Sequence, residues 1–372
     1  MTDSMRAVAV RPGVADSLHV RDVPRPSLED VPGGRGVLVR VLRVGLCGTD
    51  REIVAAEFGE APPGDDFLIL GHESLGRVEA AAPDVPQSLG PGTLVVATVR
   101  RSGSSPFDAI GLHDMSTTDD FPERGIRRAH GFLAEFYVEE PAFLVPVPAP
   151  LASVGVLLEP MSIVEKGIRQ AYEIQRRLRI WQPLRAAVLG AGPVGLLTAL
   201  ALRLRGIEVA VYSRREPPYL NSQLVEAVGG RYVSSSTTSL ATLAEQAGPL
   251  DLILEATGFS PLAFEAAEVL GPNGVLVLAS VTGGDRTADV QTDRINQGFV
   301  LGNKVMVGTV NAHRDDFVEG IEDLLRAEAT FPGWLDRLLT TRVEGFDCDE
   351  INRGLHHEKD AIKVYVDVAN RA

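Results

Sequence analysis

The stretch that decides the fold is residues 185–215, RAAVLGAGPVGLLTALALRLRGIEVAVYSRR. A short apolar run, 186–189, ends at Gly190-Ala191-Gly192-Pro193-Val194-Gly195. An apolar stretch of helical length, 196–204, follows, and a second strand-like run, 208–212, comes after Gly206. Strand, glycine turn, helix, strand is the order that a dinucleotide-binding unit needs. Gly190 permits the tight turn, and Gly192 lets the backbone approach a pyrophosphate with no side chain in the way. Gly195 lets the helix pack closely on the sheet. The helix N-terminus, which begins at Pro193 and Val194, then offers partial positive charge and the free N–H groups of Val194 and Gly195 to the phosphates.

The tip of the second strand selects the dinucleotide. An NAD site carries Asp or Glu there to hold the ribose 2′-hydroxyl. Here the strand ends Val211-Tyr212-Ser213-Arg214-Arg215. Two guanidinium groups stand where a carboxylate would, and Arg grips phosphate bidentately. NADP is therefore favoured over NAD.

The length of 372 residues suits about two domains. Basic and acidic residues balance at 36 − 50 = −14, and no basic block is present, so nucleic acid is not an expected partner. Only four of the basic residues are lysines: Lys166, Lys304, Lys359 and Lys363. The two cysteines, Cys47 and Cys348, imply no disulfide framework. The N-terminus lacks a signal-peptide core, and no apolar run is long enough to span a membrane. A cytoplasmic location is expected.

Residues 5–100 read as β-rich, with short apolar runs punctuated by Gly and Pro clusters, as in a compact barrel-like unit. Two motifs stand inside it. Cys47-Gly48-Thr49-Asp50 follows one strand and Gly71-His72-Glu73 precedes the next. Thiolate, imidazole and carboxylate together form the ligand set of a catalytic zinc, with a fourth position left open. Taken singly, Cys47 is as well explained as a small buried hydrophobe and His72 as a satisfied core histidine.

With the cofactor unit, these motifs resemble the zinc-dependent medium-chain dehydrogenase/reductase superfamily over essentially the whole chain. The resemblance implies a GroES-like, β-rich catalytic domain and a Rossmann domain with a doubly wound parallel sheet. It implies Cys47 and His72 as zinc ligands, completed by Glu73 or Glu159, and Thr49 as the relay of the substrate proton. Many relatives carry four cysteines for a structural zinc in the segment matching 98–132. This chain has none there, so one catalytic zinc is expected and no structural one.

Glu123-Arg124-Gly125-Ile126, then His130-Gly131-Phe132, resembles one branch, the microbial glucose dehydrogenases. So does Leu157-Leu158-Glu159-Pro160-Met161-Ser162-Ile163-Val164-Glu165-Lys166, which reads as a helix start. The branch implies sugar contacts for Glu123, Glu159 and Asn311. An Asp that some members carry four residues after the first Glu is Ile163 here. Glu165 and Lys166 read as helix surface. Strand ends at Ala279-Ser280-Val281 and Thr309-Val310-Asn311 are expected on the nicotinamide side, since cofactor contacts come from carboxyl ends of parallel strands. Residues 313–372 should return to the catalytic domain, with His356-His357 exposed and Cys348 at no ligand position.

The resulting expectation is a catalytic domain of residues 1–184 joined by 313–372, and an NADP-binding domain of 185–312. Its function would be zinc-dependent oxidation of the anomeric hydroxyl of D-glucose, or a related aldose, to an aldonolactone. Relatives suggest a homo-oligomer, a dimer or tetramer. The alternatives are a zinc-dependent polyol or alcohol dehydrogenase, a zinc-free NADPH quinone or enone reductase, and a non-enzymatic NADP-binding protein.

Overall fold

The computed structural model describes residues 4–356 and 360–368; His357 and Lys359 lie outside the described residues. The chain divides into two compact units. One comprises Met1–Ser162, Asn311–Leu325 and Leu335–Ala372, and the other Ile163–Val310 and Arg326–Trp334.

The first unit is built on the strand Val37–Leu46, whose ten residues are apolar or buried except Arg40 and Arg43. It pairs antiparallel with Glu73–Ala81 on one side and with Val364–Asp367 on the other. Leu94–Ala97, Leu144–Pro146, Thr341–Glu344 and Phe136–Glu139 complete a seven-stranded sheet. A three-stranded sheet, His19–Pro24, Ser4–Val10 and Leu68–Ile69, packs into the same core through Val8, Val10, Leu68 and Leu70. The register places Gly45 opposite Glu73 and Tyr365 opposite Gly45. Motifs far apart in sequence therefore meet at one end of three adjacent strands.

The polar segment 98–132 has an organised interior. The buried Asp108 carboxylate accepts hydrogen bonds from the Ser105 N–H (3.1 Å), the Ser105 hydroxyl (2.7 Å) and the Ser116 hydroxyl (2.8 Å). Burial alone would raise its pKa, but these donors outweigh burial and hold it well below the usual value.

The second unit is a six-stranded, all-parallel sheet. Its order is Arg231–Ser234, Glu208–Ser213, Arg185–Leu189, Leu250–Glu255, Leu270–Leu278, Val305–Gly308. Numbered along the chain this is 3-2-1-4-5-6, the doubly wound order whose reversal point lies at the first strand. The core gathers Ala187, Leu189, Ile253 and Leu276.

Glu165 and Lys166 depart from their expected surface position. Both are at least 97% buried in helix Leu158–Gln175. The Arg205 guanidinium donates to Glu165 at 2.7 Å, and Lys166 Nζ donates to the Val310 carbonyl at 2.7 Å. Charged residues on a helix go inside when each meets a fixed partner. His356 is exposed, as expected. No helix among the described residues is long and apolar enough to cross a membrane.

Glu139 yields a pH-dependent prediction. Its buried carboxylate pairs with Arg101 and, at 3.4 Å, with Arg124. Burial would raise its pKa, but the two guanidinium groups outweigh that and lower it. A depressed carboxylate stabilises the fold above its unfolded pKa, about 4.3, and loses that contribution as pH falls. Glu139→Gln should cost about 3 kcal/mol near pH 7. The gap to the wild type should narrow below about pH 4.3 in denaturant titrations; a gap independent of pH would contradict it.

Candidate active site

Cys47 ends the strand Val37–Leu46 and caps the helix Gly48–Val54. The Cys47 backbone N–H donates to Asp50 Oδ2 at 2.9 Å, and the Thr49 N–H donates to Cys47 Sγ at 3.3 Å. This capping arrangement fixes where the sulfur points. His72 immediately precedes the neighbouring strand Glu73–Ala81, with Nε2 3.2 Å from Cys47 Sγ. On the far side of the ring, Nδ1 lies 3.6 Å from Asp50 Oδ1. A carboxylate behind a histidine orients the ring and fixes which nitrogen faces the site.

Glu73 and Glu159 close the other side. His72, Glu73 and Glu159 each offer an atom within 4.8 Å of the others, as do Cys47, Asp50 and His72. All of these except Cys47 are buried, and Cys47 is half-buried. Glu73 forms a buried ion pair with Lys363, which arrives on the strand edge at Val364–Asp367. Gly45 makes room: a Cβ there would collide with the Glu73 carboxylate and with Lys363.

The electrostatics are those of a cation site. Burial drives the Glu159 carboxyl up to about 7, opposed by His72 and reinforced by Glu73. Burial alone would depress His72, but Cys47 and Asp50 outweigh it and hold the imidazole well above its usual value. Three carboxylates and a thiol converge on one histidine and one lysine. Buried like charges are costly unless a cation joins them. Sulfur, imidazole nitrogen and carboxylate oxygen within one small volume fit zinc.

A second constellation lies in the same unit. Asn311 Nδ2 donates to Glu123 Oε1 at 2.7 Å. Glu123 sits in the turn 123–126, whose Gly125 (φ 74°) packs on the Gly71 carbonyl. Gly131 packs on the carbonyls of Leu70 and Gly71. A side chain at either glycine would push the turn away from the His72 loop.

The predicted cofactor residues gather in the second unit. Gly190 has φ 106°, and a Cβ on Gly195 would strike the Gly190 carbonyl. Gly192 is the N-cap of helix Pro193–Leu204 and faces open space, with nothing within 4 Å of an added Cβ. That is the cradle a pyrophosphate requires. Asn221 Nδ2 braces the turn by donating to the Ala191 carbonyl at 2.7 Å.

Ser213 is half-buried, and the Arg214 and Arg215 side chains are exposed. Their backbone carbonyls are pinned by the hydroxyls of Ser234 and Tyr232, at 3.1 and 2.6 Å. The Arg215 guanidinium lies over the Tyr219 ring, 4.4 Å from its centroid. Ala279 and Ser280 follow the strand end at Leu278, where the Ser280 hydroxyl donates to Glu255 and accepts from the Gly258 N–H. Val281 and Val310 are exposed, and the Thr309 N–H donates to the Leu278 carbonyl.

Residues 152–368 match the family described as glucose dehydrogenase C-terminus, and 33–149 match the alcohol dehydrogenase GroES-like domain. The chain belongs to the glucose dehydrogenases of the zinc-dependent medium-chain dehydrogenase/reductase superfamily. Glucose 1-dehydrogenase of Methanocella arvoryzae is 46% identical over 366 residues, covering 98% of this chain and 99% of that one. The glucose 1-dehydrogenase of Thermoproteus tenax is 41% identical, covering 91% and 93%. Haloferax mediterranei glucose dehydrogenase, solved in complex with NADP, Zn and gluconolactone, superposes with a TM-score of 0.88 at 34% identity over 98% of this chain and 99% of that one.

Within this glucose dehydrogenase fold, sequence reasoning left Asp50, Lys363, Arg100 and Asn221 unassigned. Asp50 stood inside the quoted Cys47–Asp50 motif. Lys363 carried a fainter signal: in a chain that uses Arg almost throughout, two of four lysines, Lys166 and Lys363, are fully enclosed. A compact ammonium fits where a guanidinium fork does not.

Lys363→Met should leave the Glu73 carboxylate buried without its cation. A loss of about 3–5 kcal/mol is expected in chemical denaturation. The double variant Lys363→Met, Glu73→Leu should recover most of it; no recovery would contradict the pairing.

Proposed function

We propose that this chain oxidises the anomeric hydroxyl of D-glucose to the aldonolactone, using NADP and one zinc held by Cys47, His72 and a carboxylate, Glu73 or Glu159. The convergence of sulfur, imidazole and carboxylates around His72 is the observation that carries the reading. Bound zinc supplies Lewis-acid polarisation of a hydroxyl oxygen, and bound NADP supplies the acceptor for hydride.

The chain's own residues do the rest. Asp50 sets a buried carboxylate 3.6 Å from His72 Nδ1, which favours that ring orientation electrostatically. The Glu73–Lys363 pair keeps one carboxylate charge compensated. Glu159, buried beside His72 and Glu73, offers a carboxylate oxygen to sugar hydroxyls. Thr49, one residue past the helix start, passes the hydroxyl proton toward solvent. Glu123, Asn311 and Glu159 bind the remaining hydroxyls, and a site built on such bonds rejects analogues lacking them. The gluconolactone bound by the Haloferax mediterranei enzyme is the product class this reaction would leave.

The cofactor would lie along Gly190, Gly192, Pro193, Val194 and Gly195, with Ser213, Arg214 and Arg215 at the 2′-phosphate. Ala279, Ser280, Val281, Thr309, Val310 and Asn311 would border the nicotinamide. Residues 1–184 with 313–372 would form the catalytic domain and 185–312 the cofactor domain; as compact units, 163–184 and 326–334 group with the parallel sheet and 311–312 with the catalytic unit. The sheet edge at Val305–Gly308, beside the exposed Val300 and Leu301, supports a homo-oligomer.

Two measurements test this. Turnover with D-glucose should exceed that with D-xylose, sorbitol and ethanol, and a preference for an acyclic alcohol would refute the sugar assignment. Replacing Arg214 and Arg215 by Ala should raise the NADPH dissociation constant by about tenfold or more, the scale of lost charged hydrogen bonds. NADH binding should change little; an equal loss for both would remove the phosphate role.

A further inference from the structure

We propose that Arg100 is a positioning residue for the sugar: it fixes the Glu123 carboxylate so that one oxygen is consumed by the protein and the other is held toward substrate. The inference rests on the reading of Glu123 as a sugar contact and adds the group that orients it.

Three donors converge on the same oxygen. Arg100 Nε donates to Glu123 Oε1 at 3.1 Å and Arg100 Nη2 donates to it at 3.0 Å. Asn311 Nδ2 donates to it at 2.7 Å. Among the described residues, no donor to Glu123 Oε2 is found. An ordinary Arg–carboxylate pair is bidentate, one nitrogen to each oxygen. Here both guanidinium nitrogens address one oxygen, which fixes the carboxylate's rotation and leaves the second oxygen as an acceptor.

Arg100 is itself immobilised. It is 7% exposed. Its third nitrogen, Nη1, donates to the Asp114 carbonyl at 3.4 Å, and the guanidinium stacks on the Phe121 ring, 3.9 Å from the centroid. Cation–π stacking of this kind restrains the plane of the group. The backbones are tied as well: Arg100 and Glu123 form an antiparallel bridge, with Arg101 N–H donating to Pro122 O and Arg124 N–H to Val99 O. Asn311 adopts φ 61°, and its Oδ1 accepts from the Ala312 N–H at 3.0 Å, so its amide is aimed before any ligand arrives.

A carboxylate buried among fixed donors loses little entropy when a hydroxyl donates to it, which is the general advantage of preorganised contacts. Removing Arg100 frees the Glu123 side chain to rotate and should weaken sugar binding without touching the site around His72.

The test is a double-mutant cycle on the full-length enzyme, with D-glucose as the variable substrate and NADP saturating. Arg100→Met should raise KM for D-glucose about tenfold or more while kcat stays within about threefold. Arg100→Lys should fall between the two, since one ammonium cannot satisfy the forked contact. Phe121→Leu, which loosens the guanidinium and leaves its charge in place, should raise KM by a smaller factor. In a Glu123→Gln background, Arg100→Met should add less than about twofold, because Arg100 acts only through Glu123.

Multiplicative effects of Arg100→Met and Glu123→Gln would overturn the proposal, as would an unchanged KM in Arg100→Met. If Glu123→Gln alone leaves KM unchanged, the sugar role of Glu123 fails first and the proposal falls with it. NADPH affinity and a cooperative melt, both unchanged, identify variants that remain folded; Arg100→Lys and Phe121→Leu carry the test if Arg100→Met does not fold.

Discussion

Everything in the catalytic unit depends on the antiparallel pairing of Val37–Leu46 with Glu73–Ala81. With Gly45 opposite Glu73, the residues just past one strand and just before the other must meet. Cys47 and His72 therefore converge without any long loop. The third strand, Val364–Asp367, lies on the other side of Val37–Leu46 and delivers Lys363 to the same place. The site is thus anchored at strand ends and at the first turns of the helices Gly48–Val54 and Leu158–Gln175, elements of regular structure that can hold a preorganised constellation.

That geometry concentrates negative charge. Asp50, Glu73, Glu159 and Cys47 surround His72 in a volume that excludes most water. The chain answers with one internal cation, Lys363, and a histidine beside Asp50. A zinc ion held there would complete the balance, and the site would then double as an electrostatic keystone of its unit. The neighbouring lobe reaches order differently. With no cysteine in residues 98–132, Asp108 gathers serine donors around a buried carboxylate.

The glycine pattern of residues 190–195 could be read directly because each glycine answers a local backbone demand, and the structure meets each one. Gly190 takes positive φ, Gly192 faces open space, and Gly195 touches the preceding turn. The Cys47–Asp50 and Gly71–Glu73 motifs were legible for a similar reason: short motifs at strand ends carry their chemistry with them. Lys363 and Arg100 were not, because their importance comes from strand register and a lobe's folding. Glu165 and Lys166 were misread as surface since helical position alone does not announce that Arg205 and the Val310 carbonyl await them.

The central claim is that the residues around His72 hold zinc and that this zinc site serves sugar oxidation. The most direct measurement is elemental zinc analysis of the wild type and of Cys47→Ala, with NADP-dependent D-glucose oxidation followed on the same samples. The account predicts about one zinc per chain in the wild type, and loss of metal and activity together in the variant. A zinc-free wild type that still oxidises glucose, or a Cys47→Ala variant that keeps its zinc and its rate, would contradict it.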